Sequence, residues 1–279
     1  MKYASRKYID LILEVSSKWA SWDPPHPIKV GDYGTIDKAT GRFEKDGNIY
    51  DDPNLSFVRD HQPEILPPEE KMVFTSQTAQ THEFNLGPEV TIPGIAEASI
   101  KGQWKFKSGK TGAVLVIAQP RSSLISGNAS ALFKTLLDLD LPHLKDKFLV
   151  TETVACPAYG LYLSNKTDDT ISLALLASTP LPIPVISAGG SIEAKWYSQT
   201  GAGVFRHGCA PLGPGQSYSF TPLFVIKRLR KRGTFGWRGR GAPEEEGEQE
   251  NLELEDADKP WAPLDEDGEE EPFEDPVYD

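Results

Sequence analysis

The sequence predicts an α+β protein, a twisted antiparallel sheet with one N-terminal helix and one mid-chain helix, followed by a flexible acidic tail. Three observations carry this. Apolar residues recur at spacings of three and four near the start and again at 125–141, the period of an amphipathic helix. Most of the remaining stretch 71–228 reads as short strand-like runs. The order helix, strands, helix, strands fits an antiparallel α+β arrangement. Charge supplies the third: Gly241–Asp279 holds 18 Asp or Glu and one Lys, a net charge of −17, while the first 240 residues carry +5. With few aliphatic residues and many Glu, Pro and Gly, that tail cannot bury enough to fold alone.

Residues 3–19 predict the first helix, with Tyr8, Leu11, Ile12, Val15 and Trp19 on one face and "DPPHP" as its stop. "IKVGDYGTIDKATGRFEKDGNIY" reads as a hairpin turning at "DKATG", and Pro- and Asp-rich 51–70 as loop. "KMVFTSQTAQTHEF" reads as one poorly alternating strand, with Gln80 and His82 on one face and Lys71, Gln77 and Glu83 on the other. "AEASIKGQWKFK" alternates cleanly: Ala96, Ala98, Ile100, Gly102, Trp104 and Phe106 oppose Glu97, Ser99, Lys101, Gln103, Lys105 and Lys107. Twelve residues at roughly 3.3 Å each make a strand about 40 Å long. That pattern suits a half-buried strand of a soluble sheet, and also a membrane β-strand, which needs only about 9–11 residues. "SGKT" at 108–111 reads as a hairpin turn into "AVLVIA". "ISGNASALFKTLLDLDL" predicts the second helix, capped by Ser126 or Asn128, with Leu132, Phe133, Leu136 and Leu137 buried. "AYGLYLS" and "TISLALLAS" read as a further hairpin, and the core is expected to end near Leu229.

Signatures of catalysis are sparse. The five histidines are scattered singly, without HExxH or Cys/His metal spacing, so neither a metal nor a cofactor is expected. There is no GxSxG elbow, and six residues separate Gly102 from Gly109 where a phosphate loop requires four. Cys156 and Cys209 give no disulfide framework and suit a reducing compartment. "MKYASRKYIDLILEV" is too charged for a secretory signal, so the sequons at Asn54, Asn128 and Asn165 read as chance. No apolar run approaches the roughly 20 residues of a membrane-spanning helix.

The candidate binding residues are the seven bases Lys227, Arg228, Arg230, Lys231, Arg232, Arg238 and Arg240. The plain reading is a solvated exit from the folded body. A second is nucleic-acid binding or scaffolding with a regulatory acidic tail, suggested by "KRLRKR" and "GWRGRG". A third is attachment to an anionic membrane, each base contributing about 1 kcal/mol near an acidic leaflet. The neighbouring tail would mask the bases by mass action, and its removal would unmask them. "RLRKR" followed by glycines suits a basic-specific protease, placing a cleavage region at Arg232, Gly233 and Arg240. An intracellular β-rich enzyme or lectin is a weaker option.

The order of these pieces resembles a known family. "WASWDPPHPIKVGDYGTIDKATGRFEKDGNIY" resembles the N-terminal block of fungal gasdermin-like cell-death proteins, and "FLVTETV" at 148–154 with "PIPVISAGGSIEAKW" and "GPGQSYSFTPLFVIKRL" looks like later strands of the gasdermin pore-forming domain. The resemblance covers roughly residues 1–232 and implies a gasdermin-like pore-forming domain there, with 233–279 as a flexible acidic inhibitory tail. It implies a soluble, cytoplasmic precursor that an activating protease frees of its tail. The freed domain would move to the plasma membrane, bind acidic lipids, and self-assemble into a β-barrel pore causing regulated cell death. Nucleic acid is not a partner in that reading. Lys101, Lys105 and Lys107 would lie on or near the first inserting hairpin, and Lys227, Arg228, Arg230, Lys231 and Arg232 at a lipid-facing end.

Overall fold

The computed structural model describes residues 3–84, 100–125, 129–139, 141–165, 170–177, 194–200, 202–210, 217–228, 255–265 and 269–270. The first helix, α1, spans Ala4–Ser16 and buries Arg6, Tyr8, Ile9 and Ile12. It stops earlier than the prolines require. Ser17 turns left-handed (φ 55°) and its N–H bonds to the Leu13 carbonyl at 2.9 Å, a helix-ending geometry that frees Trp19 for a strand. That strand is β1 (Trp19–Ala20). β2 (Asp32–Ile36) and β3 (Phe43–Asn48) form the expected hairpin.

The stretch 51–70 is more than loop: it holds a 3₁₀ turn, Ser56–Asp60, and a short strand β4 (Pro63–Ile65). There follow β5 (Lys71–Thr75), β6 (Ala79–Phe84), β7 (Ile100–Phe106), β8 (Ala113–Ala118) and β9 (Arg121–Ile125). The second helix, α2, is Ala129–Asp138, burying Leu132, Leu136 and Leu137 with Phe133 half-buried beside them. Its expected caps, Ser126 and Asn128, lie outside the described residues. The remaining strands are β10 (Phe148–Cys156), β11 (Ala158–Leu163), β12 (Thr170–Ala177), β13 (Ala194–Thr200), β14 (Val204–Cys209), β15 (Phe220–Arg228) and β16 (Glu255–Asp256).

The protein is therefore α+β, with three antiparallel sheets where one was expected. The first runs β1-β15-β10-β2-β3, with β16 on β15, β9 on β10 and β4 on β9. The middle sheet runs β14-β11-β8-β5, and the outer sheet β13-β12-β7-β6.

Three sequence expectations fail here for related reasons. Residues 71–84 are two strands in different sheets, broken at Ser76, whose Oγ accepts the Ala113 N–H at 2.9 Å. The alternation restarts at that break, which is why 71–84 alternates poorly as one strand. "SGKT" joins two sheets and closes no hairpin: both edges of β7 are taken by β6 and β12, and both edges of β8 by β5 and β11. β11 and β12 separate in the same way, because β8 and β14 occupy both edges of β11.

The middle sheet is covered on both faces, so β8 and β11 are buried throughout. Val114, Val116, Ala118, Ala158 and Tyr162 pack with Trp104, Phe106, Leu173 and Trp196 of the outer sheet. Ala113, Leu115, Ile117, Tyr159, Leu161 and Leu163 pack with α1 and with Val150, Leu223 and Phe224 of the first sheet. A third cluster joins α2 and the 3₁₀ turn to Leu149. Among the described residues no helix is long and apolar enough to cross a membrane, which leaves strands unaddressed.

The tail departs from expectation. Residues 255–265 and 269–270 have a defined place on the body, and Trp261 belongs to the first core cluster. A segment too acidic to fold alone still folds onto a surface that supplies the missing apolar partner.

Candidate functional site

Among the described residues, the docked tail and the surface beneath it form an extended polar arrangement. Trp261 is the anchor, only 6% exposed. Its ring meets Trp19 edge-on, with centroids 5.8 Å apart at 80°. It also closes over Gly41, where a Cβ would stand 2.5 Å from Ile9 and 2.9 Å from Trp261. Gly41 has a φ of +73°, so the turn needs glycine for its backbone as well as for this close approach. The indole Nε1–H donates to Asp10 Oδ1 at 3.1 Å, satisfying the one polar atom that burial would orphan.

Around this anchor α1 presents alternating charges that the tail matches. Asp10 also pairs with Lys259 at 3.0 Å. Lys7 Nζ donates to the Asp265 carbonyl at 2.7 Å and the Leu264 carbonyl at 3.4 Å. Arg6 bonds to Glu270 at 3.0 Å and to the Lys38 carbonyl at 3.3 Å. The last turn of the described tail holds itself: the Asp265 N–H bonds to the Glu269 carbonyl, and the Glu269 N–H returns to Asp265 Oδ1. The Arg6 pair is asymmetric, with an arginine side chain 6% exposed meeting a glutamate 51% exposed. Such a pair adds little Coulomb energy on its glutamate side, but its loss would leave a largely buried cation to re-solvate.

At the other end of the docked tail, β16 extends an edge of the first sheet. β10 takes one edge of β15 along its length, while β1 and β16 share the other. The register sets Lys227 opposite Asp256 and Arg228 opposite Glu255, two bases against two acids. Of the basic segment, Lys227 and Arg228 are thus placed in a ladder. Arg230, Lys231, Arg232, Gly233 and Arg240 lie outside the described residues.

The three lysines of β7 and its end sit elsewhere, on the outer sheet. Lys101 is buried (3% exposed), whereas Lys105 and Lys107 are exposed. The sequence expectations therefore fall into two groups on two sheets. Trp261, Arg6, Lys7 and Asp10 were missed. The signal was present as "DKPWAPL", an aromatic and a leucine set among acids, but it vanishes when the tail is averaged as one composition.

Neither thiol is activated. Burial pushes the Cys156 thiol far above its ordinary value and raises that of Cys209, the opposite of what a nucleophilic cysteine requires. Tyr8, fully buried on the inner face of α1 with its ring 5.3 Å from Trp22, has no hydroxyl partner among the described residues, and burial raises its pKa well above the usual tyrosine range. No three His, Cys, Asp or Glu side chains converge to hold a metal among the described residues. Neither a scan against protein-family models nor a search of curated proteins gives a match.

Proposed function

We propose that this chain is a membrane pore former held inactive by its own acidic tail, and that proteolytic removal of the tail frees it to bind acidic lipid and assemble. The observation that carries the reading is the docking of 255–265 and 269–270 across α1 and onto the basic end of β15. An acidic segment seated on basic residues occupies groups that an anionic leaflet would otherwise attract. The outer sheet offers support of a second kind. Its four strands form two antiparallel pairs, β6–β7 and β12–β13, whose connections span 85–99 and 178–193. Two such pairs, side by side through β7 and β12, are the kind of element that extends into a barrel wall.

The test compares dye leakage from vesicles containing acidic phospholipid for the full chain and for a version ending at Arg232. Leakage from the shortened version alone is expected, and it should vanish with neutral lipid. Silence from both, with the shortened version shown to be folded by circular dichroism, would overturn the reading.

A further inference from the structure

Beside the Trp261 anchor lies a cavity of about 310 Å³, at the low end of the range typical for small-molecule sites. Its floor is apolar, made by Ile9, Phe43 and Phe224, each 3% exposed or less. Its mouth is charged. Arg206 is already engaged: it donates to the Trp22 carbonyl at 2.6 Å, reaches Asp23 at 3.4 Å and lies over the Trp22 ring. Arg42 is not. Its guanidinium meets only the His26 ring, at 3.1 and 3.2 Å from the two nitrogens, and no carboxylate touches it among the described residues.

Among the described residues the mouth thus carries Arg206 balanced by Asp23, and Arg42 with no balancing acid. One unmatched positive charge over an apolar floor selects a ligand with one negative charge and a short hydrocarbon body. At about 30 Å³ for each water-sized group, the cavity admits about ten heavy atoms.

We propose that this cavity binds a medium-chain carboxylate, its chain on Ile9, Phe43 and Phe224 and its carboxylate on the Arg42 guanidinium. Arg42 can present two parallel N–H donors to a carboxylate, a geometry that gives charge-assisted bonds and fixes the ligand's orientation. The site stands on its own geometry, whether or not the chain forms pores.

Calorimetric titration of the full chain with octanoate, which has ten heavy atoms, and with 1-octanol as its uncharged counterpart provides the test. Octanoate is expected to saturate at one per chain, and octanol to bind at least about tenfold more weakly, the discrimination of one charge-assisted contact. Arg42→Gln, at an exposed position, should weaken octanoate by about tenfold and leave octanol unchanged. The proposal is overturned if octanoate gives no saturable heat, if octanol matches it, or if Arg42→Gln binds octanoate as the parent does. The octanoate–octanol comparison needs no variant, so it decides the matter even if Arg42→Gln misfolds.

Discussion

Replacing Trp261 by alanine isolates the energy that seats the tail. A tryptophan buries on the order of 200 Å² of surface, which at about 25 cal/mol per Å² is about 5 kcal/mol. The indole bond to Asp10 adds about 1 kcal/mol, while ordering the side chain and the backbone around it takes back about 2–3 kcal/mol. The net is about 3 kcal/mol, or roughly a hundredfold in the ratio of docked to undocked tail. Amide hydrogen exchange reads this directly. In Trp261→Ala, protection at β16 and at residues 261–265 should fall by about two orders of magnitude, while β8 and β11, buried on both faces, keep theirs. If tail amides exchange as slowly as in the parent, Trp261 is not the anchor and the charged contacts of Arg6, Lys7 and Asp10 must hold the tail without it.

Three further outcomes are expected. Tyr8→Phe removes a buried hydroxyl that has no partner among the described residues, so urea unfolding should show stability unchanged or raised by up to about 1 kcal/mol; a loss of that size would mean the hydroxyl has a partner in solution. Burial raises Tyr50 and Tyr159 to about 12, above the ordinary tyrosine value of about 10 expected in the unfolded chain. Their neutral forms therefore favour the fold fully below pH 10, and that contribution should be lost as pH rises from 10 to 12, measured by thermal midpoints across the interval. With iodoacetamide, Cys209 should react before Cys156, which stays unmodified until the protein unfolds; mass spectrometry of the native protein showing Cys156 alkylated first would contradict its burial.

Elements defined by local chemistry were legible in the sequence. α1 announces itself by the spacing of Tyr8 and Ile12, α2 by Leu132 and Leu136, and the β2–β3 hairpin by the turn residues of "DKATG". What period two cannot reveal is which strand lies alongside. Tyr159 and Leu161 were placed correctly as strand residues, yet their neighbours come from β8 and β14, and adjacency in the chain suggested β12. "AVLVIA" says that both faces are covered without saying by what. The docking site was the least legible part, because it joins Arg6 to Glu270 across nearly the whole chain. No local pattern encodes that pairing; it depends on a groove that exists only once α1, β1 and the turn at Gly41 are assembled.

The stretch 229–254 connects the end of β15 to the start of β16 along the chain. A cut within it leaves Trp261 against Trp19, and Lys7 on the Asp265 carbonyl, unaltered. What changes is the concentration at which those contacts are made. A tether of this length holds the strip near its groove at an effective concentration on the order of millimolar, and severing it substitutes the free fragment's own, far lower, concentration. A docked-to-undocked ratio of roughly a hundred at a millimolar effective concentration corresponds to a dissociation constant of about 10 µM for the free fragment, so below that concentration the fragment leaves. The nicked protein should keep its tail when concentrated and shed it on dilution, so the chain's connectivity acts as the latch and the groove only as its seat.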